Sequence, residues 1–227
     1  DAGDDMKLGW RVAGRARILA PGGSRSEQRR LRQWRPMSAL PFLLSLLPHP
    51  ATPCDSVDRL TARVAHDASA RTWQLRYTLT GDLARLRIPV PARRPAATDG
   101  LWHRTCFEAF VGQADDAAYR EYNFSPSGDW AGYLFRSERL RDDAAPALPA
   151  PRISCVQDTL AHTLTLDCWL PSEALPVAGI DPMLGLSAVI ECADGSLSYW
   201  ALHHPAPHPD FHHRAGWTAR LPASLTA

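Results

Sequence analysis

Residues 99–135 read DGLWHRTCFEAFVGQADDAAYREYNFSPSGDWAGYLF. Two six-residue segments inside it alternate, CFEAFV from Cys106 and YREYNF from Tyr119. A period of two is that of a β-strand, whose successive side chains point to opposite faces. In the first segment Phe107, Ala109 and Val111 share an apolar face, so that face is expected to meet the core. Cys106, Glu108 and Phe110 then point the other way. In the second, Tyr122 and Phe124 suit the core, which places Tyr119, Glu121 and Asn123 on the face that holds Glu108.

The same alternation recurs on both sides of this stretch. In RTWQLRYTLT, Trp73, Leu75, Tyr77 and Leu79 alternate with polar residues, and after Gly81-Asp82 the run LARLRIPV repeats the pattern through Leu86 and Ile88. Later, Leu164, Leu166, Cys168 and Leu170 form one strand pattern and Leu184 to Cys192 another. That second run ends at Asp194-Gly195, a strong hairpin signal, with SLSYWAL as the return strand and Trp217 to Leu221 as a last short one. The sole helical candidate is one turn at Pro171 to Leu175. About nine strands with frequent Pro and Gly predict an all-β fold, an antiparallel β-sandwich of the immunoglobulin-like or jelly-roll type. RDDAAPALPAP at 141–151 reads as a mobile connection between the two halves of the sandwich.

Composition bounds the rest. With 227 residues, 45% of them hydrophobic, the chain supplies one sizeable domain, assigned to 37–227. The net charge of +1 hides an asymmetry: residues 1–36 carry nine Lys/Arg against four Asp/Glu, and the remainder is mildly acidic. Nothing in that remainder resembles a nucleic-acid surface. Residues 1–36 lack apolar periodicity and read as a disordered basic extension upstream of a start at Met37. A competing reading takes ALPFLLSLL as a secretory apolar core, but prolines 48, 50 and 53 follow it in place of a small-residue cleavage site. No apolar run approaches the roughly 20 residues of a membrane span. Five Cys without a CxxC pair point to reduced thiols and a cytoplasmic setting.

The candidate site residues are Trp102, Glu108, Glu121, Asn123, His204 and Phe211. Carboxylates and amides accept hydrogen bonds from vicinal hydroxyls, while an indole covers the apolar face of a sugar ring. In their simplest role Glu108 and Glu121 are solvated, or pair with Arg104, Arg120 or Arg136, and Trp130 is packing. The histidine-rich LHHPAPHPDFHHRAGW places His204, His208 and His212 four apart, but Pro205, Pro207 and Pro209 forbid the helix that would align them as metal ligands. A rigid loop with one or two histidines facing a pocket, and no metal, is the expectation.

At LWHRTCFEAF, YREYNFSPSGDW and SYWALHHP…PDFHH the sequence resembles the DOMON-like proteins, a bacterial group related to DOMON domains and to family 9 carbohydrate-binding modules. The resemblance spans roughly Leu44 to Leu221. It implies a DOMON-type sandwich, and binding of a sugar or haem more than catalysis. In the carbohydrate-binding relatives a Trp before a strand and a Glu six residues later contribute to the sugar site, which assigns stacking to Trp102 and hydroxyl acceptance to Glu108. Those relatives have a second Trp where this chain offers Phe211 and the histidines, with Trp217 beyond.

The expected function is therefore non-catalytic binding of a small ligand, a sugar, with no cofactor, nucleic-acid partner or membrane contact. Two alternatives accompany it: a haem-binding redox module using His103 or His204 as an axial ligand, and a glycoside-processing enzyme using Glu108 and Glu121 as its carboxylate pair.

Overall fold

The computed structural model describes residues 42–67, 69–174 and 182–220. The basic extension at 1–36 and Met37 lie outside them. The strands are β1 (Phe42–Pro48), β2 (Val57–Asp67), β3 (Thr72–Gly81), β4 (Cys106–Gly112), β5 (Tyr119–Phe124), β6 (Trp130–Ser137), β7 (Leu140–Arg141), β8 (Arg152–Asp158), β9 (Thr163–Pro171), β10 (Met183–Glu191), β11 (Leu197–Ala201) and β12 (Ala219–Arg220). All pair antiparallel, in the order β7-β6-β5-β4-β10-β11-β1-β2-β3-β9-β8, with β12 beside β10. The all-β antiparallel expectation holds.

β1 is where this ladder turns back on itself. Phe42 to Leu46 pair with β2, whereas Leu47 and Pro48 pair with β11, so one strand edges both sheets. The inner faces then meet. Trp73, Leu75, Tyr77 and Leu79 of β3 are buried against Phe107, Ala109 and Val111 of β4 and Tyr122 and Phe124 of β5. The rings of Tyr77 and Phe107 lie 5.1 Å apart, and the Tyr77 hydroxyl donates to the Glu108 carbonyl at 2.7 Å across the two layers. Burial of each such side chain contributes about 1.5–3 kcal/mol, and the face assignment read from alternation is the one observed.

Three expectations change. The twelve strands among the described residues exceed the nine expected, because β1, β2 and β8 lack clean alternation. β2 carries a register shift between Val57 and Arg59, and β8 is a largely exposed edge. LARLRIPV is not a strand: Asp82 accepts the Ala84 N–H at 3.2 Å and starts a 3-10 turn at Leu83–Arg85, leaving one bridge from Leu86 to Cys192. Finally, FLLSLL, most of the run ALPFLLSLL that the competing reading took as a secretory core, belongs to strand β1.

Other expectations stand. The helical candidate is a 3-10 turn at Ser172–Ala174, its last residue Leu175 lying outside the described residues. Gly195 adopts φ 92° in the β10–β11 hairpin, a conformation that a side chain would strain. The 141–151 connection does join the two sheets, but in place of the expected mobility it is tied down where it passes β5, the Tyr122 hydroxyl donating to the Pro149 carbonyl at 3.3 Å.

All five cysteines are free, but Cys54 and Cys192 stand with their sulfurs 3.1 Å apart although 138 residues separate them. Oxidised glutathione is expected to close this pair, the two thiols giving up two protons and two electrons as the oxidant leaves as two glutathione thiols. Intact-mass analysis should show the loss of two hydrogens in the folded protein and none in Cys54→Ser; labelling of Cys54 and Cys192 undiminished after oxidation would show that the pair does not close.

Candidate ligand pocket

The outer face of the β4–β5–β6 sheet should by alternation be solvent-facing. It is not. β4 is buried along its whole length, because Phe110, Tyr119, Ala131, Tyr133, Phe135 and Trp217 form a second apolar cluster there. The irregular segment 203–213 covers one side of that cluster, and a cavity of about 340 Å³ remains beside it.

The floor consists of strand residues. Glu108 and Phe110 come from β4, Glu121 from β5, Phe135 from β6 and Val189 from β10. The register sets Glu108 opposite Asn123 and Phe110 opposite Glu121, so the two glutamates are diagonal neighbours on one face. Glu108 is 3% exposed and Glu121 5%. The Ser187 hydroxyl donates to Glu108 Oε2 at 3.2 Å, and Asn123 Nδ2 donates to Glu121 Oε1 at 2.8 Å. Arg104, Arg120 and Arg136, the partners considered from sequence, are engaged with Glu191, the Glu173 carbonyl and Asp142 instead. Burial pushes the Glu108 carboxyl well above the ordinary range, with the neighbouring Glu121 charge adding to the effect. Burial likewise pushes Glu121 up to about 7, against the stabilising bond from Asn123 and the more distant Arg141 and Arg139.

One wall begins at Gly100, whose φ of 75° starts the 3-10 turn Leu101–His103 and swings Trp102 over the cavity. Trp102 is 36% exposed and meets Tyr133 edge-on at 5.9 Å. Tyr133 is itself fixed by its hydroxyl donating to Asp99 and by the Arg141 guanidinium 4.2 Å above its ring. The opposite wall is Phe211 and Tyr199, with rings 5.9 Å apart, beside Pro209. Trp217 does not line the cavity; its Nε1 donates to the Phe211 carbonyl at 2.8 Å and holds that wall in place.

A polar chain joins the walls. Arg139 donates from Nη2 to Asp210 at 2.7 Å and from its backbone N–H to the Tyr119 hydroxyl at 3.1 Å. The same Tyr119 hydroxyl shares a hydrogen bond with His212 Nδ1 at 2.7 Å. The other ring nitrogen, Nε2, faces Glu121 Oε2 at 3.8 Å, too far for a hydrogen bond. Burial, then Arg139, lowers the His212 pKa to about 4, so the ring is neutral near pH 7.

Of the residues singled out from sequence, Trp102, Glu108, Glu121 and Phe211 line one cavity. Asn123 lies behind Glu121 and orients it. His204 stands elsewhere: its Nε2 meets the Leu47 carbonyl at 2.9 Å, in a separate groove with His49. The histidine of this pocket is His212. Tyr133, Arg139, Arg141, Tyr199 and His212 went unassigned by sequence, although Tyr199 falls in the return strand and His212 in the histidine loop. His103 packs beside Trp102 at 5.6 Å. Among the described residues no three His, Cys, Asp or Glu side chains converge as a metal site, and no helix is long and apolar enough to cross a membrane.

The fold has a solved counterpart. A candidate carbohydrate-binding protein from Bacteroides uniformis ATCC 8492 superposes with a TM-score of 0.53 at 15% identity, over 78% of this chain and 84% of that one. At that identity the likeness is one of fold. A family 9 carbohydrate-binding module from Caldicellulosiruptor kristjanssonii, solved with cellotriose, matches at a TM-score of 0.44 and 8% identity, over 70% of this chain and 72% of the module. No family model matches the chain, and no curated protein matches it.

Proposed function

We propose that this domain binds a small carbohydrate, one or two rings in size, in the cavity between Trp102 and Phe211. The observation that carries the reading is the pairing of two buried glutamates on the floor with aromatic side chains on both walls. A sugar ring presents apolar C–H faces and a belt of hydroxyls, and such a pocket meets both at once. The cavity volume of about 340 Å³ falls at the small end of ligand pockets, which run from about 300 to 1,000 Å³ and are mostly pre-formed. The fold neighbour from Bacteroides uniformis, itself a candidate carbohydrate-binding protein, agrees with this reading.

Trp102 is the variant of choice for a test, because a partly exposed side chain on a surface turn can be removed without opening the core. Calorimetric titration with a panel of mono- and disaccharides is expected to find a binder, with Trp102→Ala weakening it about tenfold or more and leaving the melting temperature nearly unchanged. Absence of binding across the panel, or equal affinity in Trp102→Ala, would overturn the assignment.

A further inference from the structure

The carboxyl pair on the pocket floor sets a narrower requirement on the ligand. Among the described residues the other buried strand glutamate, Glu191, is met by two cations, Arg87 at 2.9 Å and Arg104 at 3.1 Å. Glu108 has the Ser187 hydroxyl and, at 4.0 Å, the Cys106 thiol, and Glu121 has the Asn123 amide, none of them a cation. The two arginines of the pocket are committed elsewhere, Arg139 to Asp210 at 2.7 Å and Arg141 to Asp143 at 3.0 Å and Asp99 at 3.7 Å. His212 approaches Glu121 as a neutral ring. Among the described residues no arginine forms a salt bridge with either floor carboxylate. Without a cation the buried pair ionises only at a cost, and the space beside it is the cavity itself.

We propose that the ligand bears a primary ammonium group, as an amino sugar does, and that this group donates to Glu108 and Glu121 while the ring lies between Trp102 and Phe211. An ammonium has three donors and no acceptor, which suits a floor of carboxylate oxygens. The surrounding rings add to the attraction, since the faces of Trp and Tyr draw a cation within about 6 Å of their centroids. A neutral hydroxyl would leave the carboxyls protonated and gain no ion pair, whereas an ammonium draws them into the carboxylate form and pairs with it. An N-acetylated amine would lose the charge and add bulk where the floor is closed. A quaternary ammonium would use the rings and give the carboxylates no N–H.

The sugar reading supplies the ring in this inference and the floor supplies the ammonium, so the two are separable by titration. The probes are glucosamine, galactosamine and mannosamine, each against its neutral hexose and its N-acetyl form, with ethanolamine as an amine lacking a ring. At least one hexosamine is expected to bind about tenfold or more tighter than its neutral and N-acetyl counterparts, the scale of a hydrogen bond between charged groups. Glu108→Gln and Glu121→Gln should each bring that ratio down towards one. A neutral hexose that binds as well as its hexosamine overturns the ammonium inference and leaves the sugar reading intact. Binding of ethanolamine with no hexose of any kind does the reverse. No binding by any probe overturns both, and because the wild-type ratio alone decides the matter, a variant that fails to fold does not obstruct the test.

Discussion

Gly185→Ala is expected to destabilise the domain by about 3 kcal/mol and to loosen the far wall of the pocket in the same step. A Cβ at position 185 would lie 2.3 Å from Trp217 Cδ1 and 2.8 Å from its Cγ and Nε1. The indole has nowhere to retreat. It is 2% exposed, stacked on Phe110 at 5.7 Å, edge-on to Tyr119 at 5.0 Å, and covered by the Arg214 guanidinium at 5.0 Å. Rotation away would also break its bond to the Phe211 carbonyl, which carries Phe211 into the cavity. The melting temperature should fall by roughly 6–12 °C for a domain of this size. Trp217→Ala in the same background should cost less than the sum of the two single changes, since the clash is removed with the ring. A urea midpoint indistinguishable from wild type would show that the sheet absorbs the methyl group and that the wall is not held as described.

The second large effect concerns pH. Glu121 titrates near 4.5 when unfolded and at about 7 when folded, so between those values the folded state holds the extra proton. Its contribution is therefore fully present below pH 4.5 and is lost as pH rises through about 7. One pKa unit corresponds to about 1.4 kcal/mol, so the full window is on the order of 3 kcal/mol, with Glu108 acting in the same direction. His212 has the opposite sign: its folded pKa of about 4 lies below 6.5, so its contribution is present above pH 6.5 and is lost as pH falls through about 4. The two effects offset one another in mild acid. Above pH 6.5 the contribution of His212, and those of His66 and His204, whose pKa values burial also lowers, approach completion, and the buried carboxyls dominate the slope. Wild-type stability is expected to fall from pH 6.5 to 8, and Glu121→Gln to flatten that slope and raise the melting temperature most at the alkaline end. Denaturant titrations at several pH values would decide the point; a wild-type slope unchanged by Glu121→Gln would mean that Glu121 does not hold its proton.

How much of the protein was legible in its residues differs between elements, for physical reasons. A strand with one face in the core writes its faces as alternation, so Phe107, Ala109, Val111, Tyr122 and Phe124 declared the inner layer directly. β1 did not, because its outward residues Leu43 and Leu47 are as apolar as the inward Leu44 and Leu46. β2 was hidden by its register shift. LARLRIPV alternated as a strand does, but Leu83 and Leu86 are equally three apart, and the Asp82 cap decided for a turn.

The site divides in the same way. Sequence alone determined that Glu108 and Glu121 share a face, because a period of two is enough to know that, and the turn at Gly100 marked Trp102. It could not determine whether that face meets water. Trp217 and the 203–213 segment lie more than 80 residues from Glu121 along the chain, and only their folding over the outer sheet closes the cavity, choosing His212 in place of His204 and burying both carboxyls. The Asp99–Phe135 stretch thus carries the floor and one wall by local pattern, while the other wall, the burial and the shifted protonation arise from contacts between distant segments that no local periodicity records.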